Sequence, residues 1–326
     1  MNQLSTGDTD WFLQKFDELG SNIERVIRGK RRQIDLALIC MVSEGHLLLQ
    51  DVPGVGKTTL AKAIALSLGL KSSRIQFTPD LLPSDITGVS IYEQTKNEFK
   101  FVPGPVFANV VIADEINRGS PKTQSALLEV MEERQVSVDG KPRALQPPFM
   151  VVATQNPVDM DGTYALPEAQ LDRFLMRLSM DYPDYESEIA LLSRPPQRAG
   201  AALRISMVAT RADMERMTAH TDRVQVARVL VEYVASIITA TRRHHDVSLG
   251  ASPRAGLAIL RAVRTQAAAE GRSFAVPQDV KNTVLPVLTH RLLLTSEAEL
   301  GQRSAEGVLT EIMDSVEVPK ALLADH

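Results

Sequence analysis

The 326-residue chain has a single cysteine, Cys40, so no disulfide can close within it. Cys40 sits in an apolar stretch of helical character, where a thiol behaves as a small buried hydrophobe, and a reducing compartment suits it. No apolar run approaches the ~20 residues of a membrane span, and residues 1–8 lack the basic-then-apolar order of an export signal. Membrane insertion and secretion are therefore not expected, and the cytoplasm is the expected compartment. A basic excess is missing too: 36 Lys and Arg stand against 40 Asp and Glu, a formal net charge of -4. Neutralising nucleic-acid phosphates usually leaves a positive surplus, so nucleic acid is not expected as the main partner, although a local basic stripe stays compatible. No internal repeat or low-complexity tract is present. What remains is ordinary globular usage, 44% hydrophobic and 23% charged, with length enough for two domains and a substantial core.

Against this plain background, residues 51–59 stand out as Asp-Val-Pro-Gly-Val-Gly-Lys-Thr-Thr. They follow the apolar run Leu47-Leu48-Leu49 and precede a helix with Leu60, Ile64 and Leu68 on one face. Strand, glycine-rich turn with Lys and Thr, then helix is how a nucleoside triphosphate is held. Gly54 and Gly56 let the backbone bend so that successive N–H groups point into one concavity, which opens onto a helix N-terminus. The expected contacts run from Pro53 through Gly54, Val55, Gly56, Lys57, Thr58 and Thr59. Lys57 meets the β- and γ-phosphates, and the Thr58 hydroxyl is a Mg²⁺ ligand. The usual pattern starts with Gly where this chain has Asp51.

The second signal is Asp114-Glu115, at the end of the buried strand Val110-Val111-Ile112-Ala113. Ligands of parallel sheets sit at the carboxyl ends of the strands, so this pair is expected beside the phosphate loop. Successive side chains diverge, leaving Asp114 to hold Mg²⁺ through water and Glu115 to orient and polarise the attacking water. A third strand, Phe149 to Ala153, leads to Asn156, whose amide could reach the γ-phosphate or that water. It could equally be a turn residue before Pro157.

Elsewhere the spacing predicts a helix over 30–42, short strands such as Val89 to Tyr92, a helix from Pro121 to Glu133, and a hairpin turning at Asp139-Gly140. A short apolar segment follows Phe174. Strands alternating with helices give an α/β fold with a parallel sheet. After residue 183 the pattern reads as helices alone, so the expected division is 1–183 and 184–326. His244-His245 is read as a solvated helix end rather than a metal site, since neighbouring helical residues point apart.

Three segments together carry a family resemblance: Val-Val-Ile-Ala-Asp-Glu-Ile-Asn-Arg (110–118), Ala-Thr-Gln-Asn-Pro (153–157) and Leu-Pro-Glu-Ala-Gln-Leu-Asp-Arg-Phe (166–174). With Ala-Ser-Pro-Arg-Ala (251–255) they resemble the MoxR family of AAA+ ATPases, over about residues 26–294. Asp51 is familiar at its place in that group. The resemblance implies a P-loop AAA+ core with a parallel sheet followed by an all-helical lid domain. It also implies ATP and Mg²⁺ as ligands, with adenine lying against Val26 and Ile27. Asn156 falls on the sensor of the γ-phosphate, and Arg254 on the second sensor, from the lid. Arg173 falls on the arginine finger that reaches the neighbouring subunit's site; Arg177 competes for that role. Residues 80–106 and the hairpin at Asp139-Gly140 resemble family insertions that tend to face a pore or a partner.

The implied activity is ATP hydrolysis in a homo-oligomeric ring, a hexamer. It would drive chaperone-like remodelling, maturation or metal-cofactor insertion of a client protein, with a von Willebrand factor A-type protein as the typical partner. Alternatives are a nucleic-acid-associated AAA+ motor, a magnesium-chelatase-type motor subunit, or a scaffold that binds nucleotide without turnover. The acidic balance speaks against the first, and Glu115 against the last.

Overall fold

The computed structural model describes residues 5–52, 54–156, 164–182, 185–193, 203 and 205–319. By internal contacts the chain divides into two compact units. One comprises Glu18–Arg173 and Leu178–Met214; the other comprises Met1–Asp17, Phe174–Arg177 and Glu215–His326.

The chain opens with helix α1 (Thr6–Glu24), then α2 (Arg31–Val42), strand β1 (Leu47–Gln50), α3 (Lys57–Ser67) and β2 (Ser72–Gln76). A short α4 (Pro83–Thr87) leads to an antiparallel hairpin of β3 (Gly88–Glu93) and β4 (Glu98–Pro103). Next come β5 (Val110–Asp114), α5 (Pro121–Glu133), a second hairpin of β6 (Gln135–Val138) and β7 (Lys141–Ala144), and β8 (Met150–Gln155). After α6 (Glu168–Leu171), β9 (Met176–Leu178) completes a five-stranded sheet in the order β2-β5-β8-β1-β9.

β2 with β5, β5 with β8 and β8 with β1 all pair in parallel. β1, β5 and β8 are buried on both faces, which explains why Leu47–Leu49, Val110–Ala113 and Met150–Ala153 read as unbroken apolar runs. Each fully buried Leu, Ile or Val there contributes roughly 1.5–3 kcal/mol. Because the register is parallel, Gln50, Gln76, Asp114 and Gln155 end their strands along one edge. The residues that follow those ends form the site.

α3 starts directly at the phosphate loop and stops where Gly69 turns left-handed at φ 61°. Leu70 N–H donates back to the Ala65 carbonyl at 2.9 Å, closing the helix end. In the second hairpin Asp139 and Gly140 both have positive φ, 53° and 70°, the tight turn that this residue pair favours.

The second unit is built on α9 (Arg228–Arg243), α10 (Pro253–Ala269), α11 (Pro277–Leu288), α12 (Ser296–Leu300) and α13 (Ala305–Ser315), whereas α7 (Tyr185–Leu192) belongs to the first unit and α8 (Arg211–Thr221) is divided between the two after Met214. Among the described residues after 184 the chain is helical apart from the antiparallel ladder of β10 (Val247–Leu249) with β11 (Leu293–Leu294), too short to leave a period-two pattern, and an isolated bridge between Gln225 and Phe274. Ser252 caps α10 by accepting from Ala255 N–H at 3.2 Å, and Pro253 fills the first turn. His244 and His245 lie past the end of α9 rather than on it, and their rings stack at 4.6 Å instead of pointing apart. Among the described residues no helix is long and apolar enough to cross a membrane.

Candidate active site

A cavity of about 300 Å³ opens at the carboxyl edge of the sheet. The phosphate loop and α3 line it with Gly54, Gly56, Lys57, Thr58 and Thr59; the ends of β5 and β8 contribute Asp114, Glu115, Thr154 and Asn156. Gly54 and Gly56 hold φ of 89° and 94°, a conformation costly for any side chain, and this is what turns the loop into the helix. Val55 is half-buried in the same bend. Pro53 lies outside the described residues. Ile27 is buried, with its Cδ1 3.5 Å from where a Cβ on Gly56 would sit, and Val26 beside it is half-exposed.

Lys57 Nζ donates to the backbone carbonyls of Asp51 (2.5 Å) and Val52 (3.0 Å). Burial lowers the pKa of its ammonium, while Asp51, Asp114 and Glu115 pull the other way. Asp51, where the common pattern has glycine, is an anchor. Its Oδ2 accepts from the N–H groups of Met180 (2.7 Å) and Asp181 (2.6 Å) and from the Ser179 hydroxyl (3.0 Å). Its Oδ1 accepts from Val52 N–H at 2.8 Å. One carboxylate thus ties the start of the loop to the chain leaving β9, which no glycine could do. Asp51→Ala is expected to cost about 1–3 kcal/mol, seen as a lower thermal midpoint, and to weaken ADP binding measured by calorimetry. Asp51→Asn keeps an acceptor and should lose less.

Asp114 is nearly buried and fully engaged. Thr154 donates its hydroxyl to Oδ1 at 2.7 Å, and Thr58 Oγ1 donates to Oδ2 at 3.2 Å. Arg74, from the edge strand β2, meets Oδ2 as well, with Nε at 2.8 Å. Glu115 adopts a left-handed φ of 54° and ψ of 50°. Its N–H donates to Thr154 Oγ1 at 2.9 Å, and its Oε2 accepts from Gln76 Nε2 (2.9 Å) and Arg118 NH1 (3.0 Å). Asn156 is buried, with its carbonyl 3.5 Å from Asn117 Nδ2.

The structure therefore brings Gly54, Gly56, Lys57, Thr58, Thr59, Asp114, Glu115 and Asn156 to one cavity. Arg173 does not line it: its NH2 pairs with Glu132 at 3.0 Å. Arg254 belongs to the second unit, exposed in the first turn of α10. Arg177 pairs with Glu306 at 3.4 Å, and burial lowers its pKa. Sequence reasoning missed Thr154, Arg74 and Gln76. Thr154 had a usable signal, a polar residue closing a buried parallel strand two positions before Asn156.

The chain is similar to known proteins over most of its length. The profile of the "ATPase family associated with various cellular activities (AAA)" matches residues 46–176, and that of the AAA lid domain matches residues 239–312. The Bacillus subtilis protein YeaC is 46% identical, covering 91% of this chain and 93% of its own. Chaperone MoxR1 of Mycobacterium tuberculosis is 41% identical, covering 91% of this chain and 81% of that protein. A crystal structure from Cytophaga hutchinsonii, of a candidate ATPase, superposes with a TM-score of 0.89 at 35% identity, covering 96% of this chain and 98% of that one. With the AAA and AAA lid profiles both matched and MoxR1 41% identical over most of both chains, the chain belongs to the MoxR family of AAA+ ATPases.

Proposed function

We propose that this ATPase works as a homo-oligomeric ring, a hexamer, in which ATP hydrolysis drives the remodelling, maturation or metal-cofactor loading of a client protein. In this proposal residues 1–183 are the nucleotide-binding domain and 184–326 the lid, the ring acts in the cytoplasm, and a von Willebrand factor A-type protein is a partner. The observation that carries the hydrolytic part is the single cavity lined by Lys57, Thr58, Asp114, Glu115 and Asn156. The chaperone part is supported by the name of the relative MoxR1.

The triphosphate would lie across the N–H groups of residues 54–59, with Val26 and Ile27 against the base. Lys57 would exchange its backbone carbonyls for β- and γ-phosphate oxygens. Thr58 Oγ1 and Asp114 Oδ2, 3.2 Å apart, are the hard oxygen donors that suit Mg²⁺. When bound, that ion would offset the charge on the phosphate oxygens. Glu115 would take a proton as water attacks the γ-phosphorus and the bond to the β–γ bridging oxygen breaks, releasing ADP and phosphate. Asn156 would hold the γ-phosphate or the water in line. Arg254 would complete the site from the lid, and Arg173 would complete the neighbour's.

The test is retention of ATP with magnesium by protein concentrated enough to assemble. Lys57→Ala is expected to abolish retention; equal retention by that variant would remove the phosphate loop from the mechanism.

A further inference from the structure

Arg74 is where the site does something that its motifs do not explain. β2 exposes most of its length, with only Ile75 buried, and alternation puts Arg74 and Gln76 on one face. The parallel register sets Gln76 opposite Asp114, so that face looks along the strand end toward the acidic pair. Arg74 places both Nε (2.8 Å) and NH2 (2.7 Å) on Oδ2 of Asp114. This is the same oxygen that accepts from Thr58 Oγ1. The other oxygen is taken by Thr154. A carboxylate this buried requires a compensating charge, and the chain supplies one itself.

The two partners differ in freedom. The Asp114 side chain is 11% exposed and fixed by Thr154, whereas the Arg74 side chain is 51% exposed on a long flexible stem. NH2 of Arg74 also donates to Gln76 Oε1 at 2.6 Å, an anchor on its own strand that survives if Oδ2 is given up. An anion in a fixed position and a cation able to withdraw make a replaceable counter-ion.

We propose that Arg74 is a resident cation of the metal subsite, which a divalent ion must displace from Oδ2 of Asp114. The proposal rests on the reading that Thr58 and Asp114 hold Mg²⁺. Arg74 keeps the site charge-balanced without metal, and it lowers the intrinsic affinity for metal. A divalent ion delivered with nucleotide, which adds phosphate oxygens as ligands, wins the contest more readily than a free ion. Metal binding and nucleotide binding are thereby coupled through one guanidinium.

Mn²⁺ serves as the probe, titrated into the full-length protein saturated with ADP and read by electron paramagnetic resonance. Arg74→Met removes the charge and keeps the stem, and it is expected to bind Mn²⁺ about tenfold more tightly than the parent, the scale of one unit charge a few ångströms away at a partly exposed site. Arg74→Lys loses the forked contact and keeps a charge, so it should fall between the two. Without divalent ion the Met variant should melt below the parent, and Mn²⁺ with ADP should raise its midpoint by more. Equal or weaker Mn²⁺ binding by Arg74→Met overturns the proposal, as does loss of ADP binding in that variant alone. If the Met variant does not fold, the Lys variant decides on the same criterion. Failure of the parent to bind ADP would instead remove the nucleotide-site reading on which all this stands.

Discussion

Replacing Glu115 with glutamine should lower ATP turnover about 10²–10⁴-fold while leaving ATP binding close to that of the parent. The structure explains why this substitution is clean. Glu115 Oε2 accepts from Gln76 and Arg118, and an amide oxygen can accept from both in its place. The N–H bond to Thr154 belongs to the backbone and is untouched. The left-handed φ is no harder for glutamine than for glutamate. What disappears is the ability to take a proton. Phosphate release measured beside equilibrium ATP binding separates the two effects. Unchanged turnover would mean that another group activates the water. With ATP present, Glu115→Gln should also hold client proteins through affinity capture, because the proposed ring would stay in its ATP-bound form; absence of ATP-dependent capture would count against a remodelling role.

How much of this could be read from the chain depends on whether a feature is local. The phosphate loop is nine consecutive residues, and its glycines, Lys57 and Thr58 announce their chemistry without reference to anything distant. Asp114-Glu115 and Asn156 were legible because each follows a strand buried on both faces, and such strands leave apolar runs that end sharply in polar residues. Arg74 and Gln76 fail that test, whereas Thr154, which closes the buried run of β8, meets it. Arg74 and Gln76 lie on an edge strand, Ser-Ser-Arg-Ile-Gln, with no apolar run to mark it. Their partners are set by the pairing of β2 with β5, which no local pattern encodes. Asp51 was visible as a departure from glycine, but its bonds to 179–181 join segments almost 130 positions apart. α1 hid for another reason: its buried Phe12, Phe16, Leu19 and Ile23 are spaced for a helix, yet polar residues crowd between them.

Arg173→Ala should abolish nearly all turnover, by about 10³–10⁵-fold, if its guanidinium stabilises charge on a neighbour's transferring phosphoryl group. Within its own chain Arg173 pairs with Glu132 across a partly exposed contact. Such pairs are worth about 0–1 kcal/mol, so the substitution should barely lower the melting temperature. A large loss of rate without loss of fold points outward, to another subunit. Mixing makes the point decisive. Lys57→Ala subunits have dead sites but intact fingers, and Arg173→Ala subunits have intact sites but no finger. In equal random rings about one interface in four joins a working site to a working finger, because head-to-tail contacts repeat around the ring. Turnover should therefore return in the mixture to a sizeable fraction of the parent's, though neither variant is active alone. No recovery, in mixtures whose ring size is verified by light scattering, would rule out action in trans by Arg173. The same mixing with Arg177→Ala discriminates the rival: Arg177 pairs with Glu306 inside the second unit and burial lowers its pKa, so its loss should lower stability and give no rescue.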